Sequence, residues 1–130
     1  MTLRTVVLSI VVLAASPLGE GPAFAHHSNV AFAVETVLLA KGVVKEFRWS
    51  NPHTWLYVTV DDGKGNKVEW AMEGRAPGVL LRAGWTPKVV KPGDEVQVYY
   101  SPSKDGSKVG MIARVTLPDG RVLPNAPPND

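Results

Sequence analysis

The chain is divided into short segments of alternating apolar and polar side chains, and this pattern constrains the fold more than any other feature. In Thr54–Val60 the alternation is unbroken, which is the period of a strand with one buried face. The five segments that read as strands are Thr36–Trp49, Thr54–Val60, Lys67–Glu73, Glu95–Ser101 and Val109–Leu117. Between the third and fourth, Arg75–Gly84 has helical spacing, with Pro77 suited to a first turn and Gly84 to a left-handed stop.

The order of these elements, three strands, a short helix and two strands, is the connectivity of the OB-fold. The alternation of the long first strand breaks at Gly42 and at the Lys45-Glu46 pair, which indicates a bulge or a bend. Closure of a small barrel requires a strand of this kind. The sequence therefore predicts an all-β, OB-like five-stranded β-barrel with one short helix between strands 3 and 4. An open β-sandwich is the alternative.

The first 25 residues have the pattern of a cleaved export signal. Arg4 precedes an apolar run from Val6 to Ala15, and Ala23-Phe24-Ala25 supplies small residues at both positions that a signal peptidase reads. The run is much shorter than the roughly 20 apolar residues of a membrane-spanning helix. We predict a signal peptide over residues 1–25, a barrel domain over residues 26–123 and a disordered tail over residues 124–130. The expected location is the periplasm or the extracellular medium.

Composition narrows the classes of function. The 130 residues contain 14 Lys and Arg against 12 Asp and Glu, a formal net charge of +2, with no basic cluster of the kind that nucleic-acid binders use. Cysteine is absent, which excludes thiolate metal sites and thiol redox chemistry. A mature chain of about 100 residues can be stabilised by its core alone. We expect one domain that does not bind nucleic acid and has no membrane span after cleavage.

The three histidines indicate a metal site. Cleavage after Ala25 would leave His26 at the amino terminus, where its amine and ring nitrogen can chelate one ion, with His27 adjacent. Nitrogen donors of this kind favour copper(II) among divalent first-row ions. His53 lies in the predicted turn Ser50-Asn51-Pro52-His53, at the ligand-binding end of an OB-like barrel. The alternatives are a mobile tail without a ligand and a turn histidine stacked between Trp49 and Trp55.

Aromatic residues indicate a second kind of site. Trp49 and Trp55 bracket the turn, and with Asn51 and Tyr57 they are candidates for binding a small ligand, a saccharide or a partner protein. Trp70, between Val68 and Met72, fits the core better.

Catalytic motifs are missing from the sequence. It contains no Gly-x-Ser-x-Gly elbow, no His-Glu-x-x-His and no phosphate-binding loop. Glu46, Glu69 and Glu73 could pair as a general acid and base, but strand carboxylates of this kind, alternating with lysine, are expected to be solvated. The leading hypothesis is a non-enzymatic binding module for a divalent metal, copper above all. An interaction module that uses the aromatic face is the alternative, and a copper-dependent redox enzyme is a third.

Several motifs together resemble an uncharacterised family of small exported bacterial proteins, a domain-of-unknown-function group. They are His26-His27-Ser28, Trp49-x-Asn51-Pro52-His53, Trp70-x-Met72-Glu73-Gly74, Leu80-Leu81-Arg82-x-Gly84-Trp85 and Lys91-Pro92-Gly93-Asp94. The resemblance implies an exported, OB-like β-barrel. It brings no activity, cofactor or partner.

Overall fold

The structure, a computed structural model, describes residues 31–128. Its elements follow the predicted order and end with a short strand. They are β1 (Leu38–Arg48), β2 (Trp55–Asp61), β3 (Lys67–Glu73), α1 (Pro77–Arg82), β4 (Glu95–Pro102), β5 (Val109–Thr116) and β6 (Val122–Pro124). None of the helices in this range has the length and apolar character needed to cross a membrane.

The first five strands close into a barrel. Neighbouring strands are hydrogen-bonded in the order β3-β2-β1-β4-β5-β6, and a parallel pairing of β3 with β5 joins the ends. β1 serves two partners: its first half pairs with β4 and its second half with β2. A register shift between Val44 and Glu46 marks the bend, as the break at Lys45-Glu46 predicts. The predicted OB-like barrel with one short helix between β3 and β4 is confirmed.

The core lies inside the barrel and under α1. Several inward-facing strand residues are fully buried, among them Leu56, Val58 and Val98. Leu80 on α1 and Trp85 just after it are buried against the same cluster. Gly84 adopts a φ of 93° after the helix, and the Trp85 amide donates to the carbonyl of Leu80 over 2.9 Å, so the chain reverses and inserts the indole.

The end of the domain differs from the prediction. A disordered tail was expected from residue 124, but Pro124 completes β6 and its carbonyl accepts a 2.8 Å hydrogen bond from Trp85 Nε1. Asn125 donates its amide to the carbonyl of Ala113 and accepts a 2.9 Å hydrogen bond from the Arg75 amide through Oδ1. Pro124 and Asn125 are therefore part of the folded unit, because they supply hydrogen-bond partners to polar groups of the barrel.

The first described residues are attached to the β4–β5 loop. Phe32 is buried and forms an isolated antiparallel bridge with Ser103. The carbonyl of Ala31 accepts a hydrogen bond from the Lys104 amide over 2.9 Å.

Candidate functional site

The turn between β1 and β2 is fixed by two side-chain hydrogen bonds. Ser50 Oγ donates to the carbonyl of His53 over 3.1 Å, and the buried Thr54 donates from Oγ1 to the carbonyl of Arg75 over 3.0 Å. Asn51 and Pro52 are exposed, and the peptide bond between them is cis. The turn thus exposes Asn51 to solvent and fixes His53 two residues before the start of β2.

His53 is paired with a carboxylate from the neighbouring hairpin strand. Its Nδ1 lies 2.6 Å from Glu73 Oε1 and donates a hydrogen bond to that carboxyl oxygen. The Glu73 side chain is only 11% exposed, whereas the His53 ring is 36% exposed. With Nδ1 engaged, the other ring nitrogen, Nε2, is the donor atom available to a ligand.

Burial and the imidazole act in opposite directions on Glu73. Burial raises the pKa of this carboxyl above its usual value, because a charged carboxylate loses hydration there, and the charge and hydrogen bond of His53 partly lower it. The expectation that Glu73 is a solvated strand carboxylate is wrong. It holds for Glu46 and Glu69, which are exposed and form ion pairs with Arg48 and Lys45.

Trp55 and Tyr57 stand beside this pair on the outside of the barrel. Their rings are stacked, with centroids 6.5 Å apart and planes inclined by 25°, and both side chains are half-buried. The Arg48 guanidinium lies over the Tyr57 ring at 5.1 Å from its centroid, and Nη1 donates to the Tyr57 hydroxyl over 3.1 Å. Trp55 pairs across the strands with both Arg48 and Glu73. We call the five residues Arg48, His53, Trp55, Tyr57 and Glu73 the outer platform.

Trp49 is not part of the outer platform. It lies on the same side of β1 as Phe47, and the two rings make an edge-to-face contact with centroids 5.7 Å apart. Both pack against the core, where Phe47 also meets Trp85. The two tryptophans that bracket the turn therefore lie on opposite sides of the barrel wall.

The remaining candidate metal ligands, His26 and His27, lie outside the described residues. Within residues 31–128, no three of the side chains His, Cys, Asp and Glu lie together as a complete metal site would require. Of the three candidate metal ligands, His53 is the one that lies within the described residues.

Sequence reasoning missed Arg48 and Glu73, although a signal for Glu73 exists. The Asp61–Lys67 pair closes the hairpin, and antiparallel counting from it places Glu73 opposite Trp55. His53 precedes Trp55 by two residues, so the register alone brings the imidazole near the carboxylate. The burial of Glu73 depends on packing and has no such signal.

A closed five-stranded barrel with one short helix between its third and fourth strands places the chain in the class of OB-like β-barrels. Residues 14–113 match the family of unknown function DUF6152, and the chain belongs to this family. This confirms the resemblance to an uncharacterised family. No curated protein matches the chain.

Proposed function

We propose that this protein is an exported, non-enzymatic binding module that holds copper(II) at His53. The observation that carries the proposal is the hydrogen bond from His53 Nδ1 to the buried carboxylate of Glu73. Histidines that bind metals nearly always donate their second ring N–H to a carboxylate or a carbonyl, which fixes the tautomer and increases the basicity of the ligating nitrogen. His53 has this arrangement, with a ring that solvent reaches.

The remaining ligands in this proposal are the amine and ring of His26, with His27 as a further donor. All are nitrogen donors, and copper(II) is favoured over other divalent first-row ions at such a set. The proposal needs the export signal to be removed after Ala25, because only then is the His26 amine free. It also places the protein in the periplasm or outside the cell.

The attachment of Ala31 to Lys104 sets a geometric condition on the site. Five peptide units separate His26 from Ala31, and an extended chain covers at most about 17 Å over them. Whether His26 and His53 bind the same ion must therefore be measured by changing each of them separately.

The experiment is a copper(II) titration of the chain beginning at His26, followed by electron paramagnetic resonance. We expect one equivalent bound with a nitrogen-rich signal, and weaker binding at lower pH because the ligands must lose protons. His53→Ala should abolish the signal of the assembled site. Glu73→Gln should weaken binding by roughly 10- to 100-fold, the usual effect of removing the partner of a ligating histidine.

Two controls make the result specific. Glu69→Gln removes a carboxylate from the same strand that is exposed and paired with Lys45, so it should leave copper affinity unchanged. Acetylation of the His26 amine should remove the amine chelate and leave His53 intact. Copper binding that survives His53→Ala unchanged would contradict the proposal.

The outer platform also supports a second candidate, an interaction module for an organic ligand such as a saccharide. The favouring observation is the half-exposed stack of Trp55 and Tyr57 with Arg48 over the Tyr57 ring. Aromatic faces and a guanidinium together bind flat or ring-shaped ligands by stacking and hydrogen bonds. Ligand-induced quenching of tryptophan fluorescence that Trp55→Ala abolishes, in the absence of copper, would favour this function over the first.

A further inference from the structure

Met111 on β5 lies on the outer face of the barrel. A Cβ on its neighbour Gly110 would point at the buried Tyr100 ring and at Met72 Sδ, and its other neighbour, Ile112, belongs to the core. Side chains alternate across a strand, so Met111 points away from the core. Of the two methionines in residues 31–128, Met72 is fully buried, whereas Met111 is half-buried and accessible to solvent.

The strand register brings Met111 next to the outer platform. Trp55 pairs with Glu73, and Glu73 pairs in turn with Met111 on the parallel strand β5. The three residues therefore form one row across β2, β3 and β5 and share the outer face. Neighbouring strands lie about 4.8 Å apart, so Glu73 has Trp55 on one side and Met111 on the other.

His53 and Met111 both adjoin the carboxyl group of Glu73. His53 Nδ1 lies 2.6 Å from Glu73 Oε1, and Met111 is the cross-strand neighbour of the same residue. A methionine side chain is unbranched and has several rotatable bonds, which lets its sulfur adapt to a nearby group. The Met111 sulfur can therefore approach the free Nε2 of His53 by side-chain rotation alone.

The two donors differ in chemical character. Methionine sulfur is a soft ligand that selects copper(I), whereas imidazole nitrogen binds several transition metals, copper among them. Cysteine is absent from the chain, so methionine is the sulfur ligand that the sequence offers. A thioether beside an imidazole favours a soft cation over the hard ions that oxygen ligands bind.

We propose that His53 Nε2 and Met111 Sδ bind copper(I) at the edge of the outer platform. The inference rests on the proposed function, since it uses the imidazole that is proposed there to hold copper(II). It adds a ligand and an oxidation state, because His53 serves both ions and the thioether serves the reduced one. The site then retains copper in either oxidation state without a change in the fold.

A methionine that only covers Glu73 predicts a different outcome. Leucine has a similar volume and would cover the carboxyl group equally well, without a soft donor atom. Met111→Leu therefore separates packing from metal ligation. Met72→Leu is the matched control, because it makes the same exchange at a fully buried position inside the barrel.

Silver(I) is a suitable probe, because it is soft like copper(I) and keeps its oxidation state in air. The chain beginning at His26 is titrated with silver(I) and followed by NMR of ¹³C-labelled methionine methyl groups. We expect the Met111 resonance to shift, the Met72 resonance to stay in place, and His53→Ala to remove the Met111 shift. A Met111 resonance that silver(I) does not move, or that moves equally in His53→Ala, would overturn the proposal.

The affinity for silver(I) measures the contribution of the sulfur. Met111→Leu should weaken binding by at least roughly 10-fold, the lower end of the loss that follows when only the hydrogen-bond partner of a ligand is removed. Met72→Leu should leave the affinity unchanged, and circular dichroism should show that both variants are folded. Equal affinities of Met111→Leu and the native protein would contradict the role of the thioether.

Copper(II) separates a failure of this inference from a failure of the proposed function. Met111→Leu should leave the copper(II) resonance signal unchanged, because the thioether serves the reduced ion. Copper(II) binding that depends on His53, together with silver(I) binding that does not depend on Met111, would refute the inference and support the proposed function. Silver(I) binding that requires both residues, in a protein that does not bind copper(II), would do the reverse.

Oxidation of methionine gives an independent measurement. Hydrogen peroxide converts an accessible methionine to its sulfoxide, which is no longer a thioether. We expect peroxide to oxidise Met111 well before the buried Met72, and we expect bound silver(I) to slow the oxidation of Met111, as measured by peptide mass spectrometry. A rate of Met111 oxidation that silver(I) leaves unchanged would contradict its role as a ligand.

Discussion

Two aromatic groups flank the same turn and have opposite environments. Phe47, Trp49 and Trp85 face the interior, where Trp85 is 1% exposed and its indole nitrogen has a backbone partner. Trp55 and Tyr57 face outward and share their surface with the ion pair of Arg48 and Glu46. The difference shows that one turn of the barrel separates aromatic residues that pack against the core from aromatic residues that are partly exposed on the outer face.

The contrast has a simple origin in strand geometry. Side chains alternate across a strand, so Phe47 and Trp49 share one face of the sheet and Arg48 lies on the other. After the turn, Trp55 pairs with Arg48, which puts it on the outer face. Substitutions in the inner group should therefore change stability, and substitutions in the outer platform should change binding.

The largest expected effect is that of Trp85→Ala. The substitution removes a fully buried indole and leaves the Pro124 carbonyl without its donor. We expect a loss of about 3–5 kcal/mol in the free energy of unfolding. Urea denaturation measures it, and a loss below about 1 kcal/mol would show that the inner group does not stabilise the barrel.

Gly74→Ala should have the next largest effect. Gly74 follows Glu73 of the outer platform, and its amide donates to the carbonyl of the buried Thr54. A Cβ at this position would overlap Thr54 Oγ1, whose hydrogen bond to Arg75 fixes the start of β2. We expect destabilisation of about 1–3 kcal/mol from this overpacking. Gly78→Ala is the control, because a Cβ there meets nothing within 4 Å, and thermal melting of both variants gives the comparison.

Comparison of Trp49→Ala with Trp55→Ala tests the inner and outer assignment directly. Trp49 packs against the core and Trp55 does not, so we expect Trp49→Ala to destabilise the protein by about 2 kcal/mol more. The prediction for ligand or copper binding is the reverse, with the larger change for Trp55→Ala. Equal losses of stability in urea would remove the distinction between the two groups.

The smallest expected effect is a pH dependence that originates at Glu73. Burial raises the pKa of Glu73. At pH values just above the ordinary pKa of a glutamate, the folded state therefore binds more protons than the unfolded state. Its contribution to stability is therefore complete at acidic pH below the unfolded pKa and is lost as pH rises through the folded pKa. Glu73→Gln should remove this decline.

Five other carboxyl groups act in the opposite direction. Hydrogen bonds lower the pKa values of Asp61, Asp62, Asp94, Asp105 and Asp119, so their contributions are lost as pH falls. The informative quantity is the difference in unfolding free energy between the native protein and Glu73→Gln. A difference that stays constant from pH 4 to pH 8 would contradict the burial of Glu73.

Much of the barrel was predictable from the sequence because alternation and turn residues are local signals. Trp55 and Tyr57 were correctly placed on the opposite side of β2 from Leu56, and the bend in β1 was correctly placed near Lys45. The position of Trp49 was not, because its environment depends on packing against Phe47 and the core cluster. The pairing of His53 with Glu73 also required the hairpin register together with burial, which no single strand reveals.

The tautomer of His53 tests the central claim most directly. Long-range ¹⁵N–¹H correlation spectra at pH 8 report which ring nitrogen carries the proton, and zinc(II) serves as a diamagnetic probe of the free one. We expect the proton to be on Nδ1, hydrogen-bonded to Glu73. We expect Nε2 to be unprotonated and its resonance to shift when the metal is added. A proton on Nε2, or an Nε2 resonance that does not respond to metal, would contradict it.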